Sequence, residues 1–185
     1  TMSLNSDELL TSLRRRSDFS KSFFEQLLNS IDATQSCIEK LSQWALQHTK
    51  YGRDIAEIWL NHFLKAKQGQ HLPLFYLAND IIQNSYRNGF EFSQQFTDVL
   101  PKALNHLVDL ADSEILKKVE RTLQIWADRN IYEDEFLNCL WALILDREAL
   151  VDDGDMSAKE LKKLRKEIID DGKKIRMPSS QDIVE

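Results

Sequence analysis

The stretch Leu74-Phe75-Tyr76-Leu77-Ala78-Asn79-Asp80-Ile81-Ile82-Gln83-Asn84-Ser85 decides how this chain folds. At about 100° per residue, Leu74, Phe75, Ala78, Ile81, Ile82 and Ser85 gather on one side of a helix, while Tyr76, Asp80, Asn84 and Arg87 fall on the other. Pro73 suits the first turn and Gly89 lies just past the end, so the spacing predicts a helix near residues 72–88. On periodicity alone the polar side is an ordinary solvated face. Its residue types favour something else. Solvated faces usually carry Lys, Glu and Arg, whereas Tyr, Asp and Asn are short groups that hold hydrogen bonds with less loss of side-chain freedom. Such a column suits recognition of a polar, extended peptide.

The same periodicity extends in both directions from this stretch. Asp18 or Ser20 can cap a helix that buries Phe23, Phe24, Leu27, Leu28 and Ile31. A second helix begins near Thr34 and runs to about Gln47 through Cys37, Ile38, Leu41, Trp44, Ala45 and Leu46. The break Lys50-Tyr51-Gly52 separates it from a third, with Ile55, Ile58, Trp59, Leu60 and Phe63, and Lys67 to Gln70 reads as a loop. Beyond Gly89 a pattern through Phe92, Phe96, Val99, Leu100, Leu104 and Leu107 is interrupted by Pro101, which predicts a kink or a split. The next helix spans Asp112 or Ser113 to Arg129, with Asn130 as its stop, and another covers about 133–150. Asp152-Asp153-Gly154-Asp155 reads as an acidic break, and Ser157 opens a lysine-rich helix reaching 171. No strand-like alternation and no fixed-period repeat appear. Seven or eight amphipathic helices joined by short loops predict an all-α fold.

Composition removes several function classes. The 185 residues suit one domain with tails, and 42% hydrophobic and 29% charged residues with few Gly and Pro describe a helix-rich globule. Cys37 and Cys139 are far apart within apolar patterns and read as two buried thiols in a reducing compartment. No apolar run is long enough to span a membrane, no signal segment opens the chain, and Thr1 before Met2 reads as an expression remnant, so a soluble intracellular protein is expected. His48, His62, His71 and His106 never pair at the spacing of a zinc motif, and phosphate-cradling glycine loops and nucleophile elbows are missing. No enzyme, cofactor or metal is implied. A net charge of -6 argues against general nucleic-acid binding, so an anionic partner needs a local basic cluster.

One such cluster is present. The helix ending at Arg129 has a core face of Leu116, Val119, Leu123 and Trp126, and away from it lie Lys118, Arg121, Ile125 and Arg129 at spacings of 3, 4 and 4. The plain reading is a solvated face with ion pairs such as Glu114 with Lys118. Arg121 and Arg129 have no acid four residues before them, and the forked donors of a guanidinium match phosphate oxygens.

The block Leu74 to Ser85 closely resembles the central helix of the CTD-interacting domain family. Leu41 to Trp44, Ile55 to Trp59 followed by Lys65-Ala66-Lys67, and Val119-Glu120-Arg121-Thr122-Leu123-Gln124-Ile125-Trp126 agree in order and separation. The resemblance covers about residues 20–150 and is nearest to the branch of regulation of nuclear pre-mRNA domain proteins and yeast termination factors. It implies a right-handed superhelix of about eight helices, like that of ENTH and VHS domains. It also implies a nuclear module that binds the phosphorylated heptad-repeat tail of RNA polymerase II, in termination or RNA 3'-end processing. Other factors of that machinery are further implied partners. By resemblance Asp80 accepts the hydroxyl proton of the repeat's tyrosine, Tyr76 and Ile125 line the peptide site, and Asn84 holds the peptide backbone. Arg121 matches the arginine that meets phosphate on the repeat's first serine, supported by Lys118 and Arg129.

The resemblance places the domain at 19–151, after a leader, 1–18, that carries Arg14-Arg15-Arg16 and reads as disordered. The loop Gln68-Gly69-Gln70-His71 is neutral where relatives tend to be basic, and the helix at 157–171 is too short to establish a dimerising coiled coil. Two other classes compete: a VHS- or ENTH-like trafficking module that binds sorting peptides or lipids, and an RNA-binding or RNA-processing protein.

Overall fold

The computed structural model describes residues 18–88 and 92–153. The arginine-rich leader, Gly89 and the lysine-rich helix from Ser157 lie outside the described residues. Eight α-helices and no strand occur among those described. They are α1 (Lys21–Asn29), α2 (Gln35–Leu46), α3 (Gly52–Lys65), α4 (His71–Arg87), α5 (Phe92–Thr97), α6 (Leu100–Leu110), α7 (Ser113–Asp128) and α8 (Asp134–Asp153).

The helix starts follow from local chemistry. Ser20 caps α1 by accepting from the Phe23 N–H at 3.3 Å, and Thr34 caps α2 by accepting from Cys37 N–H at 3.3 Å. The Asp112 carboxylate takes the Ile115 N–H at 2.9 Å and opens α7. Each such cap contributes about 1 kcal/mol because it satisfies an otherwise orphaned donor. Pro101 splits its segment into α5 and α6, sitting in the first turn of α6, where its missing N–H costs nothing. The break before α3 is shorter than the sequence suggests. Thr49–Tyr51 form a 3-10 turn and Gly52 already belongs to α3, while α8 continues through Asp152 and Asp153, which are helical rather than part of an acidic break.

The helices stack as successive layers: α1 on α3, α2 on α4, α4 on α5, α3 on α6, α6 on α8 and α7 on α8. This is the superhelical arrangement. Helix α4 is its centre, touched by α2, α3, α5 and α7. Its Leu74, Phe75, Leu77, Ala78, Ile81 and Ile82 are fully buried, each removal from water contributing up to about 1.5 to 3 kcal/mol for the larger side chains. Hydrogen bonds fix what burial only compacts. The Trp59 indole N–H donates to the Leu74 carbonyl at 2.8 Å and pins α3 to α4. The Ser85 hydroxyl accepts from Phe92 N–H at 3.1 Å, so the serine on the apolar side of α4 joins it to α5. Tyr132 donates to the Ser93 carbonyl at 3.0 Å and ties the α7–α8 connection to α5. Cys37 is buried as expected, but Cys139 is only half-buried.

His71, the first residue of α4, is buried with its ring 5.8 Å from that of His106, and its Nε2 has no hydrogen-bond partner. Burial first, and then the neighbouring His106, holds its pKa below the usual histidine value, and burial lowers that of His62 as well. The unfolded chain therefore takes up protons at a pH where these folded imidazoles still resist them, and stability must fall as pH drops through about 6.5. Urea denaturation is expected to show a lower midpoint near pH ~5.5 than near pH ~7.5, and His71→Gln should flatten that dependence. An unchanged pH dependence in the variant would remove His71 as its source.

Candidate functional site

Helices α2 and α4 and the end of α7 enclose a cavity of about 510 Å³. Helix α2 contributes Glu39, Ser42, Gln43 and Leu46; α4 and its C-cap contribute Asp80, Gln83, Asn84, Arg87 and Asn88; α7 contributes Arg129. Two carboxylates and two guanidiniums therefore meet in one polar hollow above an apolar core. Among the described residues no group of three or more His, Cys, Asp or Glu is placed to hold a metal ion. No described helix is long and apolar enough to cross a membrane.

On the α4 wall, Asn84 donates its amide N–H to the Asp80 carboxylate at 2.9 Å and to the Asp80 carbonyl at 3.0 Å. One carboxylate oxygen is thereby oriented. The other, like the Asn84 amide oxygen, has no hydrogen bond from a described residue and remains an acceptor for a ligand donor. Tyr76 lies one turn earlier on the same face, half-buried against the core and outside the cavity lining.

The α7 wall is set by how that helix ends. Asn130 sits at φ 52°, the left-handed conformation that Asn tolerates. With it, Ile131 N–H reaches the Trp126 carbonyl at 2.9 Å and Asn130 N–H reaches the Ala127 carbonyl at 3.0 Å. These two bonds form a Schellman stop, which fixes Arg129 as the C-cap residue. The Arg129 guanidinium donates to the Gln83 amide oxygen, and Gln83 in turn donates to Asn79 Oδ1 at 2.6 Å. The same Asn79 oxygen accepts the Trp126 indole N–H at 2.8 Å, so α4 and α7 are stitched by a four-residue chain.

Of the residues singled out in the sequence, the structure brings Asp80, Asn84 and Arg129 to one cavity. Lys118, Arg121 and the half-buried Ile125 lie further back along α7 and do not line it. At 1.5 Å rise per residue, Arg121 is about 12 Å and Lys118 about 16 Å from Arg129 along the axis. Lys118 and Arg121, one turn apart, form the closer pair. Glu114 pairs with Lys117 at 3.1 Å rather than with Lys118. Among the described residues neither Lys118 nor Arg121 has an ion-pair partner.

The α2 wall was not anticipated. Glu39 and Gln43 share a face at i,i+4 and Ser42 is completely buried, its hydroxyl without a hydrogen-bond partner. The i,i+4 polar pair is a faint signal, since many solvated faces look the same. Gln83 and Asn79 also escaped notice, although a buried tryptophan demands an acceptor for its N–H and an amide nearby could supply one.

The fold is that of an all-helical superhelical domain with a polar hollow between α2, α4 and the end of α7. The particular family follows from comparison: a model described as CID domain matches residues 22–140, so this chain belongs to the CID domain family. Regulation of nuclear pre-mRNA domain-containing protein 1B of Homo sapiens is 40% identical over 124 residues, 67% of this chain and 38% of that protein. Protein 1A of the same name from Mus musculus is 37% identical over 134 residues, 72% of this chain and 43% of that protein. The chain thus spans about two fifths of the length of these curated relatives. The solved CTD-interacting domain (CID) of Seb1 from S. pombe superposes with a TM-score of 0.62 at 16% identity, covering 71% of this chain and 100% of that one. At that identity the likeness bears on the fold alone.

Asn79→Leu keeps the size of the side chain, removes the acceptor and leaves the buried Trp126 N–H unpaired. It is expected to cost about 1 to 3 kcal/mol in urea denaturation, the penalty of an unsatisfied buried donor. A loss near zero would mean that the bond contributes nothing to holding α7 on α4.

Proposed function

We propose that this chain binds the phosphorylated heptad-repeat tail of the largest subunit of RNA polymerase II, with phosphate on the first serine of the repeat preferred. It would do so in the nucleus, serving transcription termination or RNA 3'-end processing alongside other factors of that machinery. Membership of the CID domain family and the nuclear pre-mRNA relatives support the class of ligand. The single observation that carries the site is the Asp80–Asn84 pair on the cavity wall, an oriented carboxylate beside an amide with acceptor capacity left over.

In this reading Asp80 accepts the hydroxyl proton of the repeat's tyrosine, with Tyr76 one turn away and Ile125 supplying apolar contact from α7. Asn84 holds the peptide backbone through the amide oxygen that Asp80 does not use. Arg121 meets the phosphate with a forked pair of N–H donors, and Lys118, one turn earlier, adds its charge. Arg129 supports them from the cavity end. A charge-assisted hydrogen bond contributes roughly 1.5 to 3 kcal/mol, which amounts to ten-fold or more discrimination between phosphoserine and serine. No bond is made or broken; recognition is the whole task.

A panel of heptad peptides with phosphate at each position in turn, titrated by calorimetry, tests the reading. Arg121→Ala should reduce the preference for phosphate on the first serine by about ten-fold while leaving a measurable affinity. An unchanged preference would exclude Arg121 as the phosphate ligand. Asp80→Asn should weaken phosphorylated and plain peptides alike, and a loss confined to the phosphorylated one would sink the tyrosine role. Binding to anionic vesicles or to acidic-dileucine peptides, with none to heptad peptides, would instead place the chain with the trafficking modules.

A further inference from the structure

We infer that Gln83 is the positioning residue that holds the Arg129 guanidinium ready for phosphate. This rests on the phosphopeptide reading above and adds to it a determinant of selectivity.

The argument begins at a group that has no choice. Trp126 is fully buried, and its indole can only donate. It donates to Asn79 Oδ1, which fixes the Asn79 amide with its oxygen towards α7. That oxygen also accepts from Gln83 Nε2, which fixes the Gln83 amide in turn. Gln83 Oε1 is thereby left to meet a donor, and the donor it meets is Arg129. Reversing the Gln83 amide would set oxygen against the Asn79 oxygen and N–H against the guanidinium, and the first mismatch cannot be relieved while Trp126 holds Asn79. The orientation thus passes from the core outward, through four side chains, to a surface cation.

The kind of acceptor matters as much as its direction. A carboxylate at position 83 would hold Arg129 as well, but it would neutralise the charge that an anion needs. The neutral amide takes one of the guanidinium's five N–H donors and leaves its full charge and the rest of its fork for a ligand. A long side chain that must be ordered on binding costs roughly 0.5 to 1.5 kcal/mol, equivalent to about a two- to twelve-fold loss of affinity, and a side chain already held avoids that loss.

Gln83→Met keeps the length and removes both the acceptor and the N–H given to Asn79, and Gln83→Glu keeps the acceptor, adds a charge and also loses that N–H. Both are measured in the full chain. Calorimetry reads the ratio of affinities for the first-serine phosphopeptide and its plain counterpart, and NMR reads the order of the Arg129 Nε–H group. With Gln83→Met the ratio should fall about three- to ten-fold and Arg129 should lose order. With Gln83→Glu the ratio should fall at least as far while Arg129 gains order. That opposed pair of shifts is what a merely structural glutamine would not produce. The Trp126 indole N–H, still protected from exchange with solvent in both variants, reports that the fold and its bond to Asn79 persist. A wild-type protein that discriminates, with Gln83→Met matching it in ratio and in Arg129 order, overturns this role alone, as does Gln83→Glu with undiminished preference. A wild-type protein that does not discriminate overturns the phosphopeptide reading and this role with it.

Discussion

Helix α4 is packed by α2, α3, α5 and α7 together, and that crowding is the constraint on which the rest depends. Wherever such an element meets its neighbours it must be apolar, and on α4 Leu74, Phe75, Leu77, Ala78, Ile81 and Ile82 are all fully buried. Only a narrow stripe remains for polar groups. Asn79, Asp80, Gln83 and Asn84 there are half-buried, where an unpaired polar atom is costly, so each needs a defined partner. Asp80 takes Asn84, and Asn79 takes Trp126 and Gln83. The polar wall of the cavity is in this sense a by-product of the core, because the packing that buries nine of the seventeen residues of α4 dictates how the rest must be bonded.

Much of this architecture was legible in the chain. Caps at Ser20, Thr34 and Asp112 are local chemistry, and so are the stops at Pro101 and Asn130, because each acts on backbone groups within a few residues. The site was legible on the helix that carries its period most clearly, hence Asp80 and Asn84. It was not legible on α2, where Glu39, Ser42 and Gln43 become a wall only because α2 lies against α4, a fact of tertiary packing with no trace in local spacing. The same limit explains the cations of α7. Their spacing puts Lys118, Arg121 and Arg129 on one stripe, but the helix stretches that stripe over about 16 Å, and the cavity admits only its end.

The termini of α7 illustrate how a sequence signal can be right about position and silent about purpose. Asn130 is a stop signal on composition alone, and the structure uses it as one. Its consequence is that the preceding residue, Arg129, is held at a fixed point over α4 instead of fraying with the last turn. A cation there also sits well against the partial negative charge of the helix C-terminus, an attraction typically worth 0.3 to 1 kcal/mol. Capping, dipole and hydrogen bond act on one residue, and only the first is visible without coordinates.

An acidic chain that selects an anion needs its cations to act locally. The net charge of -6 describes the whole molecule, yet at physiological ionic strength a charge is felt over only about 8 Å. Beyond that distance the surplus of carboxylates counts for little, and what a phosphate meets is set by the nearest few groups. Glu114 could have cancelled Lys118, but it pairs with Lys117 instead. Arg129 could have been cancelled by an acid at position 83, and a neutral amide stands there. The acidic surplus then works in the same direction as the site. On the phosphopeptide reading it would repel polyanions that present charge broadly, such as nucleic acid, while a single phosphate on an extended peptide would reach Arg121 and Lys118 without approaching the rest of the surface. On the proposed reading, selectivity among anions would come from the contrast between a negative whole and a positive patch, and adding scattered lysines would weaken it as removing an arginine would.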